Sequence, residues 1–124
     1  MNESDLGFDV AITPGPHFIR VQITGAPSLG QLLSLIHLLG VESESWERDR
    51  ALVDLRGVAT AFSRQEQFRI GEDAAASLSH MRKIASLVPP HRVTRVSEKA
   101  ARRSGANVSV FYDEDEALAW LRAP

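Results

Sequence analysis

At 124 residues, 44% of them hydrophobic, the chain is long enough to bury one continuous core and is expected to form one domain. The absence of cysteine excludes disulfides, thiolate catalysis, Cys-ligated zinc and iron–sulfur clusters, and makes the cytoplasm the expected compartment. A net charge of -2 argues against general nucleic-acid affinity, and the acidic start and the interrupted apolar run near Leu32 to Leu39 argue against a targeting peptide and a transmembrane segment.

In chain order, Phe8, Val10 and Ile12 alternate with Asp9 and Ala11, Thr13-Pro14-Gly15-Pro16 interrupts, and Ile19, Val21 and Ile23 alternate with Arg20, Gln22 and Thr24. That pattern predicts a β-hairpin with a proline-fixed turn and one apolar face. Gly25-Ala26-Pro27 ends its second arm. Ser28-Leu29-Gly30-Gln31 matches the capping box S-x-x-Q, and Leu29, Leu32, Leu33 and Ile36 follow at the spacing of one helical face, so a first helix starts there. Leu35 and Leu38 lie off that face. Either both pack beneath a neighbouring segment such as the one holding Trp46, the commoner arrangement, or they make an apolar contact with a second subunit or a ligand.

Val41 to Arg50 is polar, anchored by Trp46 alone, and reads as the end of the helix plus a loop. Leu52 to Val58 is a short apolar run closed by Gly57-Val58, the pattern of a strand buried on both faces. Asp54 interrupts it. A buried carboxylate needs partners, so Asp54 is expected to organise the next loop by accepting its hydrogen bonds. Ser63-Arg64-Gln65-Glu66 is a second capping box, and Phe68, Ile70, Ala74, Ala75, Leu78 and Met81 carry a second helix, with a break expected at Gly71.

Lys83 to Val88 is the next strand, closed by Pro89-Pro90. Arg92 to Ser104 reads as a third helix with Val93, Val96 and Ala100 inward, ended by Gly105. Asn107 to Tyr112 is the last strand, and Asp113-Glu114-Asp115-Glu116 opens a final helix carrying Ala117, Leu118, Trp120 and Leu121. The order β-β-α-β-α-β-α-β-α predicts an α/β fold: a mixed sheet of one front hairpin plus parallel, right-handed β-α crossovers, flanked by helices.

Charge is segregated along this order. Arg82, Lys83, Arg92, Arg95, Lys99, Arg102 and Arg103 are half of the 14 basic residues, and Glu98 is the one acid between Arg82 and Arg103. On a helix Arg92, Arg95, Lys99, Arg102 and Arg103 share a face, which is either simply solvated, as most charged helix faces are, or meets an anionic partner. His17, His37, His80 and His91 lack metal-ligand spacing, and no phosphate loop, nucleophile elbow or dinucleotide fingerprint is present. No catalytic residue, metal or cofactor is therefore expected, and the protein reads as a non-enzyme.

The front hairpin, the strand Leu52-Val53-Asp54-Leu55-Arg56-Gly57-Val58 and the ending Val110-Phe111-Tyr112-Asp113-Glu114-Asp115-Glu116-Ala117-Leu118-Ala119-Trp120-Leu121 resemble the STAS-like, SpoIIAA-like proteins of bacteria. The resemblance implies one STAS-like domain over residues 1–124, similar in fold to anti-sigma factor antagonists and sharing features with lipid-binding CRAL-TRIO domains. In the antagonists an Asp-Leu-x-x-Val strand runs into an Asp-Ser-Ser-Gly loop whose second serine is phosphorylated. Here Asp54-Leu55-Arg56-Gly57-Val58 matches the strand, the loop falls on Phe62, Ser63, Arg64 and Gln65, and the phosphoacceptor position is Arg64. Ser63 beside it is either a shifted phosphosite or, more ordinarily, a helix cap.

The resemblance thus implies a regulatory domain binding another regulatory protein, without the usual phosphorylated serine. The alternative is a binder of a lipid or other apolar small molecule held between helix and sheet. The surplus leucines Leu35 and Leu38, with a sheet edge left to protect, add the expectation of a twofold homodimer.

Overall fold

The computed structural model describes residues 7–92 and 95–124, with the backbone alone at Arg92; the acidic start before Gly7, and Val93 and Thr94, lie outside the described residues. The alternating front of the chain forms β1 (Phe8–Pro14) and β2 (Ile19–Gly25), antiparallel and paired from Phe8 with Gly25 to Pro14 with Ile19. After α1 (Leu29–Glu42) come β3 (Arg50–Val58), α2 (Arg64–Leu78), β4 (Lys83–Leu87), α3 (Val96–Arg103), β5 (Val108–Phe111) and α4 (Glu114–Arg122). The strands lie in the order β1-β2-β3-β4-β5, and β2 through β5 run parallel. This is the mixed sheet with β-α crossovers that the periodicities predict.

Side chains alternate between the two faces of a strand, which splits the interior in two. On one face Ile19, Val21, Ile23, Ala51, Ile84 and Val108 pack with residues of α1, α2 and α3. On the other, Leu52, Ala85 and Leu87 pack with Ala117 and Leu121 of α4. β3 is thus covered on both faces at Leu52, whereas near its end Arg56 and Gly57 are exposed and Val58 is buried in the helix-side core.

Two helices differ from the sequence reading. α2 passes unbroken through Gly71, because a glycine there permits close approach to α3: a Cβ at Gly71 would stand 2.8 Å from Ala100 Cβ. A Cβ at Gly40 in α1 would likewise stand 2.8 Å from Ser77 Cβ of α2. α3 begins only at Val96 rather than Arg92, since Arg95 has φ +61°, a left-handed conformation that cannot continue a right-handed helix. Before it, Pro90–Arg92 forms one short 3-10 turn.

The side chains of α3 close the outer edge of β5. Glu98 Oε2 accepts the Val110 N–H at 2.5 Å, Arg95 Nη1 donates to Val110 O at 3.1 Å, and Arg102 Nε donates to Val108 O at 2.7 Å. These are the outward backbone groups of an edge strand, and pairing them with side chains blocks strand addition there. α4 is fixed at both ends. Asp113 Oδ1 accepts from the Asp115 N–H at 2.9 Å, and at the other end Lys83 Nζ donates to Trp120 O and Ala123 O, both at 2.7 Å.

Candidate functional site

Asp54, on the α4 side of β3, is 3% exposed. Its Oδ1 accepts from the Arg56 N–H and Nε, both at 3.0 Å, and its Oδ2 from Arg56 Nη2 at 2.9 Å. Residues two apart on a strand share a face, so Arg56 is placed to wrap the carboxylate. Arg20 of β2 approaches Asp54 Oδ2 to 3.6 Å, and both arginines also reach Glu114 Oε1 at the start of α4, at 3.2 and 3.0 Å. Burial pushes the Asp54 carboxyl up, but the Arg56 side chain and backbone N–H, with Arg20, outweigh it and hold the group below its ordinary value. Asp54 binds its own strand, its neighbour strand and, through the arginines, α4. These partners lie beside Asp54 on its own face of the sheet, where the sequence reading expected the following loop.

The loop after β3 is tied to the connection between β2 and α1 and to the start of α2. Ala59 N–H donates to Gly25 O at 2.7 Å, Thr60 Oγ1 to Pro27 O at 2.6 Å, and Gln67 Nε2 to Phe62 O at 2.9 Å. Ser63 is the N-cap of α2: its Oγ accepts from the Glu66 N–H at 3.1 Å, and Glu66 Oε1 accepts from the Ser63 N–H at 2.8 Å. Arg64, which the sequence reading aligns with the phosphoacceptor, is exposed, and Phe68 one turn along is 41% exposed.

Behind this loop the helical layer leaves a gap. Leu55 and Ser86, on central strands and facing the helices, are only half-buried. A cavity of about 250 Å³ opens there between Thr60, Phe62, Gln67, Ser86, His91 and Val110, at the C-terminal ends of β3 and β4. An inner lobe of about 100 Å³ shares Leu32, Leu55 and Ile70 with it and runs toward Ile36 and Leu78. The walls are mostly aliphatic, and the position outside the carboxyl ends of parallel strands is where open α/β sheets receive ligands.

The remaining sequence candidates separate in space. Leu35 is 9% exposed and belongs to the core, while Leu38 is 59% exposed beside Val41 at 58%. Leu35 thus packs inward, as the commoner of the two expected arrangements has it, and Leu38 alone of the pair is exposed. Of the basic face, Arg95 and Arg102 bond to the β5 edge, Lys99 and Arg103 are exposed, and the Arg92 side chain lies outside the described residues.

Sequence reading missed one juxtaposition. Ser43 Oγ lies 2.8 Å from His80 Nε2, the distance of a nucleophile and its base. Gly40 O, 3.0 Å from Ser43 Oγ, competes with His80 for the one hydroxyl proton. Ser43 is also 3% exposed, out of reach of a substrate. Arg20, Arg56 and Glu114 were missed too. Arg56 had a signal, its i+2 spacing from Asp54, whereas Arg20 and Glu114 depend on which elements become neighbours. Among the described residues no helix is long and apolar enough to cross a membrane, and no three His, Asp or Glu side chains gather where a metal ion would be held.

No curated protein matches the chain in sequence. Among solved structures, an anti-sigma factor antagonist from Mycobacterium paratuberculosis superposes with a TM-score of 0.64 at 13% identity, covering 94% of this chain and 95% of that one. An uncharacterised protein of SpoIIAA-like fold from Shewanella loihica superposes with a TM-score of 0.57 at 15% identity, covering 93% of each. The model of the SpoIIAA-like family matches residues 18–122, from the start of the second hairpin strand to the end of α4. The chain belongs to the SpoIIAA-like family.

Proposed function

We propose that this protein is a non-enzymatic regulatory domain of the cytoplasm that works by binding a partner protein at the start of α2. The observation that carries the reading is Phe68: a large aromatic, 41% exposed, on the first turns of a helix rigidly capped by the Ser63–Glu66 box. A rigid aromatic beside exposed polar groups is the usual centre of a protein interface. The fold shared with an anti-sigma factor antagonist supports the regulatory class, and the same helix start follows the strand that matches the antagonist pattern. With Arg64 at the acceptor position and the Ser63 oxygen engaged in the cap, recognition here needs no phosphate. The burial of Ser43 beside His80 supports the non-enzymatic part of the reading.

Phe68→Ser should lower recovery of the partner from the native host at least tenfold, since central aromatic anchors contribute about 2 kcal/mol or more. Its denaturation midpoint should stay within about 0.5 kcal/mol of wild type, as befits an exposed position. Undiminished recovery, or equal loss with Leu38→Ser, removes the α2 surface from the reading.

The cavity favours a second reading, an apolar small molecule held between the helices and the sheet. Its volume suits a short acyl chain or a single ring, and its floor is aliphatic. Ser86→Leu would fill it. Decanoic acid added to wild type should shift the methyl resonances of Leu55 and Val110, and Ser86→Leu should abolish those shifts; no shifts in wild type sinks this reading.

A further inference from the structure

The opposite end of the sheet, where β3 and β4 begin, gathers cations. Arg50 and Lys83 open those strands and turn toward the carbonyls that end α4: Lys83 Nζ to Trp120 O and Ala123 O, and Arg50 Nη1 to Leu121 O and, at 3.0 Å, Ala123 O. Lys83 is 7% exposed, and the Arg50 side chain 17%. Arg48 is fixed beside them, its Nε donating to Gly15 O at 3.0 Å and its Nη1 to Glu47 O at 2.9 Å. With Arg122 and His17, Arg48 and Arg50 line an open depression of about 580 Å³.

The charge there is not balanced. Among the described residues the one carboxylate within ion-pair range of Arg48, Arg50, Lys83 or Arg122 is Asp49, 4.0 Å from Arg50 Nε. The end of α4 supplies only about half a negative charge through its macrodipole. Burial first, then repulsion from Arg50 and Arg82, lowers the Lys83 pKa. Holding α4 in place accounts for Lys83 and Arg50 alone. It does not account for Arg48, bound to the β1–β2 turn, or for Arg122, whose side chain makes no hydrogen bond or ion pair among the described residues.

We propose that this depression binds a multivalent phosphate-type oxyanion, with Arg48 and Arg50 as preset donors and Arg122 as the third. Each guanidinium has five N–H donors in a planar fork that matches phosphate oxygens, and the backbone bonds leave Nη2 of Arg48 and of Arg50 unused. Because two of the three donors are already fixed, little side-chain entropy is lost on binding. The depression is open, so the phosphate group arrives on a larger molecule, either a soluble phosphorylated compound or a phosphorylated lipid headgroup. This site lies at the far end of the strands from Phe68 and stands independently of the reading given above.

Titration calorimetry of inorganic pyrophosphate at constant ionic strength tests it. Wild type should bind saturably at one site per chain. Arg122→Gln, at an exposed position, should weaken binding about tenfold, the loss expected for one charged hydrogen bond, and adding Arg48→Gln should weaken it further. Arg69→Gln, an exposed arginine on α2, should leave it unchanged. Phosphatidylcholine vesicles carrying phosphatidylinositol bisphosphate separate the two sources: binding competed by pyrophosphate assigns the headgroup, and no vesicle binding alongside intact pyrophosphate binding assigns the soluble compound. Absence of saturable pyrophosphate binding, unchanged affinity in the double variant, or an equal loss in Arg69→Gln overturns the proposal.

Discussion

Asp54 shows how a buried charge is made tolerable in mid-strand. Left alone in that position it would cost several kcal/mol, and Arg56, on the same face two residues along, supplies three of its hydrogen bonds. Asp54→Ala should therefore destabilise by about 1 to 3 kcal/mol, chiefly by orphaning the Arg56 N–H, and an unchanged urea midpoint would contradict this. The pH dependence follows from the sign of the shift. Because the folded pKa is lowered, the ionised form favours the fold, so the contribution is present above the unfolded pKa and is lost as pH falls through the folded value. The stability gap between wild type and Asp54→Asn should be widest near about pH 7 and should shrink below about pH 4. A gap that is constant or widens in acid means Asp54 is not held ionised. The sequence marks Asp54 as anomalous, and strand periodicity points at Arg56. Nothing local points at Glu114, 58 residues farther than Arg56, whose role depends on where α4 docks.

Among the elements, α2 is the one whose internal signals and packing differ. Its start is written locally: Ser63 and Glu66 satisfy each other's backbone N–H groups, and both are in the sequence at the spacing a capping box needs. Ser63→Ala should cost about 1 kcal/mol, while Ser63→Asp should be nearly neutral, as an aspartate caps as well. Equal losses in thermal denaturation would remove the cap from the account. Gly71 is not legible in the same way. A glycine in a helix reads as a weak point, yet here it lets α3 approach, and that neighbour is invisible in a local window. Gly71→Ala, which would stabilise an isolated helix, should instead cost about 1 to 3 kcal/mol by overpacking against Ser97 and Ala100. Arg95 carries a similar lesson. The basic spacing suits a longer helix, but its left-handed backbone, with Nη1 tied to Val110 O and Glu98, starts α3 late and turns arginines toward the β5 edge.

At the scale of the whole molecule, period-2 and helical patterns sufficed to write the strand and helix order, because each element buries a face whose spacing survives in one dimension. What three dimensions add lies at the two ends of the parallel strands: a capped helix start and an apolar cavity at one, a ring of cations at the other. Neither is a motif, since each is assembled from segments that meet only when the sheet forms. The central claim is that the start of α2 is a docking surface. Its most direct measurement is photo-crosslinking in the native host with a photoreactive phenylalanine derivative in place of Phe68, and separately of Leu38. A discrete protein adduct from position 68, competed by excess wild type but not by Phe68→Ser and absent from position 38, is the predicted result. No adduct from position 68, or the same adduct from position 38, would contradict it.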